Sequence, residues 1–269
     1  MTNENVSWQD RGFKRLDLGE GDLRIALIGY GRMGRAVEEV ALARGHQIVA
    51  RVDIGGSQAD CGLTSEALAD AEVAVEFTAP EAAAKNLRGL AALGVDVVCG
   101  TTGWTGSLAE VSRAVGKAGT ALLHSPNFSL GVHAFFRLAR LASCLCDGMD
   151  GYAPSIQETH HRHKADSPSG TARSLAELVV GEMSSVSGWA LVDAADTVSR
   201  DSLPVTASRV GENPGEHVLS LEGPEDRLEL RHLALSRAGF ARGAVGAAEW
   251  VRGRKGVFTM DDMLAELWR

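Results

Sequence analysis

The sequence has few cysteines, and no two of them form a CxxC pair. The four are Cys61, Cys99, Cys144 and Cys146, so the paired spacing of a zinc ribbon or a redox-active disulfide is absent. The N-terminus also has no charged, apolar and small-residue pattern of an export signal. These absences predict a protein of the reducing cytoplasm.

Long apolar runs and positive net charge are also absent. No stretch approaches the roughly 20 apolar residues that a membrane helix needs. Asp and Glu outnumber Lys and Arg by 35 to 27, which gives a formal net charge of -8 at pH 7. Because this field repels polyanions, the sequence predicts no nucleic-acid or membrane partner. Any bound anion must be attracted by a local cluster of cations.

The chain does contain short apolar runs that alternate with amphipathic segments from Leu23 onward. In the first half, strand-like runs are separated by helical segments, which favours a parallel Rossmann-type sheet with right-handed crossovers. In the second half, strand-like pieces outnumber helices, which is typical of an α+β domain built on an open mixed sheet. The sequence therefore predicts an α/β protein with two domains.

The same pattern predicts boundaries along the chain. Residues 1–22 are polar and aperiodic and are interpreted as an extension before the first strand. Residues 23–127 and 128–240 are the two predicted domains. Residues 241–269 are predicted to be C-terminal helices that pack back on the first domain.

A glycine-rich turn, "GYGRMG", follows the first predicted strand and opens the first predicted helix. Gly29 would form the tight turn, Gly31 would let the backbone approach a pyrophosphate, and Gly34 would let helix and strand pack closely. Asp53 ends the next strand at about the 20-residue spacing of a carboxylate that binds ribose hydroxyls. This context favours dinucleotide binding over a purely structural turn.

The stretch "ETHHRHKADSPSGTA", Glu158 to Ala172, gathers three histidines, an arginine and a lysine into consecutive positions. A metal site is one interpretation, but the HExxH spacing is absent and no cysteine is near. A solvated basic loop is another, and it suits Arg162 and His163 best. The adjoining Ser-Gly-Thr turn points to a third interpretation, a local anion site.

Further stretches make the pattern specific. "EFTAPEAA" and "GTTGW" each end a predicted strand of the first domain, "HSPNFSLGV" follows, and "RVGENPGEH" and "GFARGAVGAAEWV" lie toward the C-terminus. Together with the histidine-rich stretch they resemble the dihydrodipicolinate (4-hydroxy-tetrahydrodipicolinate) reductase family. The resemblance covers nearly everything from Arg24 to Leu264.

The motifs differ in specificity, and the chain departs from the family in two places. The glycine turn is shared by many enzymes, whereas HHxxKxDxPSGTA is specific to this family. Ser167 stands where the family usually has alanine, and the segment between Asp53 and Ala71 is short. Neither departure touches the positions that match the family's catalytic residues.

The resemblance implies NAD(P)H-dependent reduction of 4-hydroxy-tetrahydrodipicolinate to tetrahydrodipicolinate in diaminopimelate and lysine biosynthesis, without a metal. Residues 23–127 would then bind the dinucleotide, and residues 128–240 would bind substrate and build a homotetramer through their sheet. The cofactor contacts would come from the turns after the strands of the first domain. These residues are Gly29, Gly31, Arg32, Met33, Gly34, Asp53, Phe77, Thr78, Gly100, Thr101, Thr102, Pro126, Asn127 and Phe128.

The resemblance also implies roles in the histidine-rich stretch. His160 and Lys164 would carry the acid–base chemistry, and which of them is the terminal proton donor stays open. A cyclic dicarboxylate substrate needs converging donors. The backbone N–H groups of Ser169, Gly170 and Thr171 at the start of a predicted helix are suitable donors, together with His161.

Two alternatives remain at this point. One is another two-domain dehydrogenase of amino-acid metabolism, such as a homoserine or aspartate dehydrogenase, although the HHxxK and PSGT motifs count against it. The other is a catalytically silent dinucleotide sensor that keeps the fold without the chemistry. The presence of His160 and Lys164 argues against it.

The choice of coenzyme can be predicted from the end of the second strand. Asp53 is followed by Ile54, Gly55 and Gly56, so a carboxylate is present without the adjacent cation that a 2′-phosphate needs. Arg51 shares a face with Asp53 by strand alternation and is the nearest alternative cation. Arg32 and Arg35, in the glycine turn and the first helix, are the other alternative cations, although a pyrophosphate contact or a solvated helix face explains them as well. We expect NADH to be preferred and NADPH to be accepted more weakly.

Overall fold

The computed structural model describes residues 21–53, 63–193 and 198–268. The chain forms two compact units, the first drawn from Met1–Phe128 and Phe240–Arg269 and the second from Ser129–Gly239. The predicted extension 1–22 lies outside the described residues except for its last two positions, and so do Ile54, Gly55 and Gly56.

The described residues contain strands and helices that are numbered here in chain order. The strands are β1 Arg24–Ile28, β2 Gln47–Val52, β3 Val73–Glu76, β4 Asp96–Cys99, β5 Ala121–His124, β6 Ala153–His160, β7 Gly188–Leu191, β8 Ser202–Arg209, β9 Glu216–Glu222, β10 Arg227–Leu233 and β11 Gly256–Thr259. The helices are α1 Arg32–Ala43, α2 Pro80–Ala92, α3 Leu108–Ala118, α4 Leu130–Asp147, α5 Gly170–Glu182, α6 Ala238–Val251 and α7 Met260–Leu267.

The first unit is built on a parallel sheet in the order β11-β5-β4-β3-β1-β2. All four residues of β3 are buried, as are the last four of β1. Such continuous burial is expected where helices cover both faces of a parallel sheet. Turn residues set the helix ends: Pro80 opens α2, and Gly119 caps α3 in the left-handed region. The predicted Rossmann-type fold is confirmed.

The sequence prediction for residues 241–269 was incomplete, because it contained only helices. The structure adds β11, which pairs in parallel with β5 at the sheet edge. The side chain of Asp96 accepts hydrogen bonds from the backbone N–H groups of Ala121 and Gly253, both at 2.8 Å. β11 begins with a glycine and has no fully buried residue, and its position depends on these distant partners.

The second unit is built on a sheet in the order β10-β9-β6-β8-β7. β6 and β7 pair in parallel with β8, whereas β9 pairs antiparallel with β6 and β10. The open mixed sheet is therefore confirmed, although β7 was not predicted.

One face of this sheet forms the core of the second unit. Ile156, Val205 and Leu219 lie in one buried cluster with residues of α4 and α5. In β6 the buried residues alternate with more exposed ones, so Glu158 and His160 share the inward face with Ile156. Among the described helices, none is long and apolar enough to cross a membrane.

Candidate active site

The glycine turn of the first unit requires the absence of side chains at two positions. Gly29 has φ +91, and a Cβ there would lie 2.1 Å from the carbonyl oxygen of Phe77. A Cβ on Gly34 would lie 2.3 Å from the carbonyl oxygen of Gly29. A Cβ on Gly31, in contrast, would meet no atom within 4 Å. The turn is thus packed tightly at Gly29 and Gly34 and is open at Gly31.

A cleft of about 300 Å³ lies beside this turn. It is formed by the glycine turn and by the residues that follow β3 and β4, where the carboxyl ends of parallel strands meet. All residues that line the cleft except Pro80 were predicted as cofactor contacts. The position of Pro80 directly after "EFTA" was the signal that could have identified it. The lining residues are Gly31, Arg32, Met33, Phe77, Thr78, Pro80, Gly100, Thr101 and Thr102.

The walls of the cleft are fixed by close contacts. The backbone N–H of Thr78 donates to Thr101 Oγ1 at 2.7 Å. A Cβ on Gly100 would lie 1.9 Å from the ring of Phe77, so the missing side chain makes room for that ring. Below the wall, the buried Glu76 accepts from Cys99 Sγ at 3.1 Å. Burial first, and then the charge of Glu76, raises the pKa of the Cys99 thiol, so this thiol stays protonated.

The remaining predicted cofactor residues lie outside the lining of this cleft. Asp53 Oδ2 accepts from the backbone N–H of Tyr30 at 3.1 Å, which places the carboxylate next to the glycine turn. Phe128 is only 2% exposed and contacts Phe77 edge to face at 6.0 Å between ring centroids. The carbonyl oxygen of Asn127 accepts from the Ser125 hydroxyl at 2.7 Å. Pro126, Asn127 and Phe128 do not line the cleft, although Phe128 contacts Phe77 of its wall.

A polar cluster that the sequence did not indicate surrounds Tyr30. Glu38, in the middle of α1, accepts hydrogen bonds from Arg51 and from the Tyr30 hydroxyl. The guanidinium groups of Arg35 and Arg51 lie 4.7 and 5.6 Å from the centre of the Tyr30 ring. We call these four residues the Tyr30 cluster. Arg51, the nearest alternative cation in the sequence, is therefore paired with Glu38.

In the second unit, the histidine-rich stretch is organised around a buried carboxylate. Glu158 is 2% exposed, and its Oε1 accepts from the backbone N–H of Ser169 and from Arg209, both at 3.0 Å. Its Oε2 lies 3.3 Å from His160 Nδ1 and 3.6 Å from His217 Nε2. Ser169 Oγ also contacts His217 Nε2 at 3.1 Å. We call these five residues the Glu158 network.

The contacts within the Glu158 network decide its ionisation. Burial alone would raise the pKa of Glu158, but the neighbouring His160, His217 and Ser169 outweigh it and hold this pKa far below its usual range. Burial lowers the pKa of His217, and the neighbouring carboxylate of Glu158 acts in the opposite direction. The network therefore contains a permanent carboxylate beside a histidine that favours its neutral form.

The predicted substrate residues surround this network, with different degrees of exposure. Ser169 is buried, His161, Lys164 and Thr171 are half-buried, and Gly170 is exposed at the start of α5. Lys164 Nζ pairs with Asp166 at 2.8 Å.

Arg162 and His163 of the same stretch differ from these residues. They are exposed, and each lies 3.7 Å from Glu212. This position agrees with the solvated loop that the sequence suggested for them.

Ligand atoms of Glu158, His160 and His217 lie within 4.8 Å of one another, a spacing that a metal ion could use. However, Oε1 of Glu158 is bonded to Arg209 and to the N–H of Ser169. A cation here would add positive charge beside an arginine that already compensates the carboxylate. The absence of a metal cofactor stays a prediction.

Two family models match the chain almost end to end. "Dihydrodipicolinate reductase, N-terminus" matches residues 23–128, and "Dihydrodipicolinate reductase, C-terminus" matches residues 131–264. The chain belongs to the dihydrodipicolinate reductase family. Membership of this family makes the protein an oxidoreductase, and it confirms the resemblance seen in the sequence.

Relatives of this family match at similar length. The 4-hydroxy-tetrahydrodipicolinate reductase of Christiangramia forsetii is 39% identical over 247 residues, which cover 92% of this chain and 100% of that protein. The one of Archaeoglobus fulgidus is 38% identical over 264 residues, covering 90% and 100%.

A solved structure of the same family shows the same fold. Dipicolinate-bound dihydrodipicolinate reductase from Paenisporosarcina sp. TG-14 matches with a TM-score of 0.71 at 21% identity, covering 89% of this chain and 98% of that one. At this identity the match supports the fold.

Sequence reasoning missed three members of the Glu158 network. Glu158 lies within the histidine-rich stretch, but no role was predicted for it, and none was predicted for Arg209 and His217. Arg209 lies 51 residues from Glu158 along the chain, and His217 lies 48 residues from Ser169. The "RVGENPGEH" stretch, which contains both, was the only signal.

Proposed function

We propose that this protein reduces 4-hydroxy-tetrahydrodipicolinate to tetrahydrodipicolinate with a reduced nicotinamide dinucleotide, as a step of diaminopimelate and lysine biosynthesis. The reaction consumes one hydride and one proton, and the 4-hydroxyl leaves as water. The observation that carries the proposal is the Glu158 network, which holds His160 and the start of α5 together beside Lys164. The names of the relatives support the reaction. The dipicolinate in the Paenisporosarcina enzyme supports a cyclic dicarboxylate as the substrate.

We propose that the first unit binds the dinucleotide. In the described structure, α1 has no side-chain cap and no acidic residue in its first turn, so its first N–H groups can bind a pyrophosphate. The open space at Gly31 allows the phosphates to approach the backbone. The cleft residues Phe77, Thr78 and Thr101 would line the nicotinamide. Once bound, the nicotinamide supplies the hydride.

The second unit would bind the dicarboxylate. Gly170 and Thr171, in the first turn of α5, offer backbone N–H groups and a hydroxyl, and Lys164 and His161 add cationic or neutral donors. Ser169 was predicted to join them, but its N–H is bonded to Glu158 and its hydroxyl accepts from Ala172. We therefore assign to Ser169 the role of holding the start of α5, with the substrate contacts made by its neighbours.

His160 and Lys164 would perform the proton transfer. Glu158 lies beside Nδ1 of His160, so Nε2 is the ring nitrogen that would exchange a proton with the substrate. A Cβ on Gly215 would lie 2.9 Å from this Nε2, so the missing side chain leaves space there. The ammonium of Lys164 would stabilise the negative charge that develops as hydride is added, and it can supply the proton.

For the coenzyme, we propose a preference for NADH with weaker acceptance of NADPH. The carboxylate of Asp53 would bind the ribose hydroxyls and repel a 2′-phosphate. The competing cation Arg51 is paired with Glu38. Comparing kcat/KM for the two coenzymes at matched ionic strength tests this preference, and an advantage for NADPH would contradict it.

We also propose that the protein forms a homotetramer and that it is located in the cytoplasm. The residues of β6 that point away from the helices, Ser155, Gln157 and Thr159, are more exposed than their neighbours, which supports assembly through this sheet. Light scattering at micromolar concentration should give four times the monomer mass. A monomer would contradict the assembly and leave the reaction untouched.

Steady-state kinetics test the reaction itself. Purified protein should oxidise NADH only when enzymatically generated 4-hydroxy-tetrahydrodipicolinate is present, and dipicolinate should inhibit in competition with that substrate. Tight dinucleotide binding without turnover would favour the silent sensor. Turnover of homoserine or aspartate in place of the dicarboxylate would favour another dehydrogenase.

A further inference from the structure

We infer that Glu38 is a specificity-determining residue, which favours NADH by holding the guanidinium of Arg51 away from a coenzyme 2′-phosphate. The inference rests on the proposed binding of a dinucleotide by the first unit, and it assigns part of the coenzyme preference to a residue outside the glycine turn and outside the end of β2.

The contacts of Glu38 show how Arg51 is held. One carboxylate oxygen of Glu38 accepts from Arg51 Nε at 3.0 Å and also from its Nη2, and the other accepts from the Tyr30 hydroxyl. The side chains of Arg51 and Glu38 are 27% and 14% exposed, so solvent screens the pair only in part. Charge-assisted contacts of this kind are the stronger hydrogen bonds of proteins, and they occupy the Nε–Nη2 edge of the guanidinium, one of the edges that can bind a phosphate.

The Tyr30 cluster lies next to the position expected for the ribose. The backbone N–H of Tyr30 donates to Asp53 at 3.1 Å, and Asp53 is the carboxylate placed to bind ribose hydroxyls. Arg51 lies in β2, and Asp53 follows directly after the strand ends at Val52, so strand alternation would direct both side chains to the same side of the sheet. A 2′-phosphate on the ribose would therefore meet this cluster.

The charges of this region explain the effect of Glu38. Arg35 and Arg51 contribute two positive charges, and Glu38 and Asp53 contribute two negative charges, so the four groups cancel. Burial alone would raise the pKa of Glu38, but hydrogen bonds from Arg51 and Tyr30 outweigh it and keep this pKa low. The carboxylate is thus ionised at neutral pH. Without it, the four groups would carry one net positive charge, and Arg51 would lose its ion pair with Glu38.

Glu38→Gln is the test. In this variant the ratio of the dissociation constant for NADH to that for NADPH should rise at least about 10-fold above the wild-type ratio. One charge-assisted bond to a phosphate is worth at least that factor. Dissociation constants are measured by calorimetry without substrate, so the result does not depend on turnover. Glu39→Gln is the matched control, since it removes the same charge from the exposed neighbour on α1. It should leave the ratio unchanged.

Two further variants complete the design. Glu38→Gln combined with Arg51→Gln should return the ratio toward the wild-type value, because the released arginine is the proposed phosphate ligand. Glu38→Ala replaces Glu38→Gln if the latter does not fold, and the same gain is expected.

The outcomes separate this inference from the proposed function. If Glu38→Gln and Glu39→Gln both bind the two coenzymes with the same ratio of dissociation constants, the inferred role of Glu38 is wrong and the proposed function is unaffected. Absence of binding of either coenzyme to the wild type would overturn both. A wild-type preference for NADPH would contradict the proposed coenzyme preference. Even then, tighter NADPH binding relative to NADH in Glu38→Gln than in the wild type would support the role of Glu38.

Discussion

At the scale of single residues, buried Glu158 depends on the groups that compensate its charge. Arg209→Met would leave the carboxylate without its cation, and removing one partner of a buried pair costs about 3 kcal/mol or more. We expect the free energy of unfolding of this variant, measured with urea, to fall by about that amount. Arg227→Met is the control, because Arg227 and its partner Glu222 are both more than half exposed. Its effect should stay below about 1 kcal/mol, and equal losses in the two variants would contradict the account.

The acid–base assignment makes a second prediction at this scale. His160→Ala and Lys164→Ala should each lower kcat by about 100-fold or more, while the dissociation constant for NADH stays at the wild-type value. His163→Ala serves as the control, because His163 is exposed in the same loop. If either variant keeps the wild-type kcat/KM, the site has been assigned to the wrong residues.

Thr171 tests the position of the substrate carboxylate. Thr171→Val deletes a hydroxyl donor and leaves the shape nearly unchanged, and such a bond to a charged group is worth roughly 10 to 150-fold in affinity. The KM for substrate and the inhibition constant of dipicolinate should rise by a factor in this range. Thr171→Ser, which keeps the hydroxyl, should restore both. An unchanged KM in Thr171→Val would place the carboxylate elsewhere.

At the scale of elements, the turn between β1 and α1 separates packing from binding. Gly34→Ala should destabilise the protein strongly, because its Cβ would overlap the carbonyl oxygen of Gly29. Gly31→Ala should leave the urea midpoint unchanged and weaken NADH binding, because its Cβ would enter the space proposed for the pyrophosphate. Gly116→Ala, at an open position within α3, should stabilise by about 0.5 to 1 kcal/mol. If Gly31→Ala is destabilised but binds NADH with wild-type affinity, this separation of packing positions from binding positions is wrong.

The elements also show where sequence reasoning was sufficient. β1 to β5 are short runs, most of them separated by helices, so their order along the chain was enough to predict the parallel sheet and to place Phe77, Thr78 and Thr101 at one edge. β7 and β11 are no shorter than β3, β4 and β5, but each begins with a glycine and has no fully buried residue. Their pairing with β8 and β5 is decided by tertiary contacts.

At the scale of the whole molecule, buried histidines make stability depend on pH. Burial lowers the pKa of His124, His217 and His232, while Asp262 partly opposes this at His124 and Glu158 at His217. The unfolded chain therefore binds more protons than the folded chain below the unfolded value of about 6.5. Stability should be fully present above that pH and should decrease as the pH falls through it.

The measurement for this prediction is the urea midpoint at about pH 7.5 and pH 6, a window in which carboxyl groups contribute little. The urea midpoint should be lower at pH 6. The corresponding loss of unfolding free energy is up to about 1 kcal/mol per histidine. His232→Gln should reduce the difference. A midpoint that rises on acidification would show that these histidines are charged in the folded state.

The candidate site was only partly predictable at this scale. Motif spacing identified His160, Lys164 and the start of α5, because they are neighbours in sequence. The network that holds them required Arg209 from β8 and His217 from β9, whose proximity to Glu158 follows from strand pairing in the second sheet. The pairing of Glu38 with Arg51 likewise required the packing of α1 against β2.

The central claim is that the protein transfers hydride from a reduced nicotinamide to a cyclic dicarboxylate. The most direct test uses NADH that carries deuterium at both C4 positions, with enzymatically generated 4-hydroxy-tetrahydrodipicolinate, followed by mass spectrometry of the product. We predict tetrahydrodipicolinate that carries one deuterium, formed by the wild type and at least about 100-fold more slowly by Lys164→Ala. Product without deuterium, or no product while NADH binds tightly, would contradict the claim.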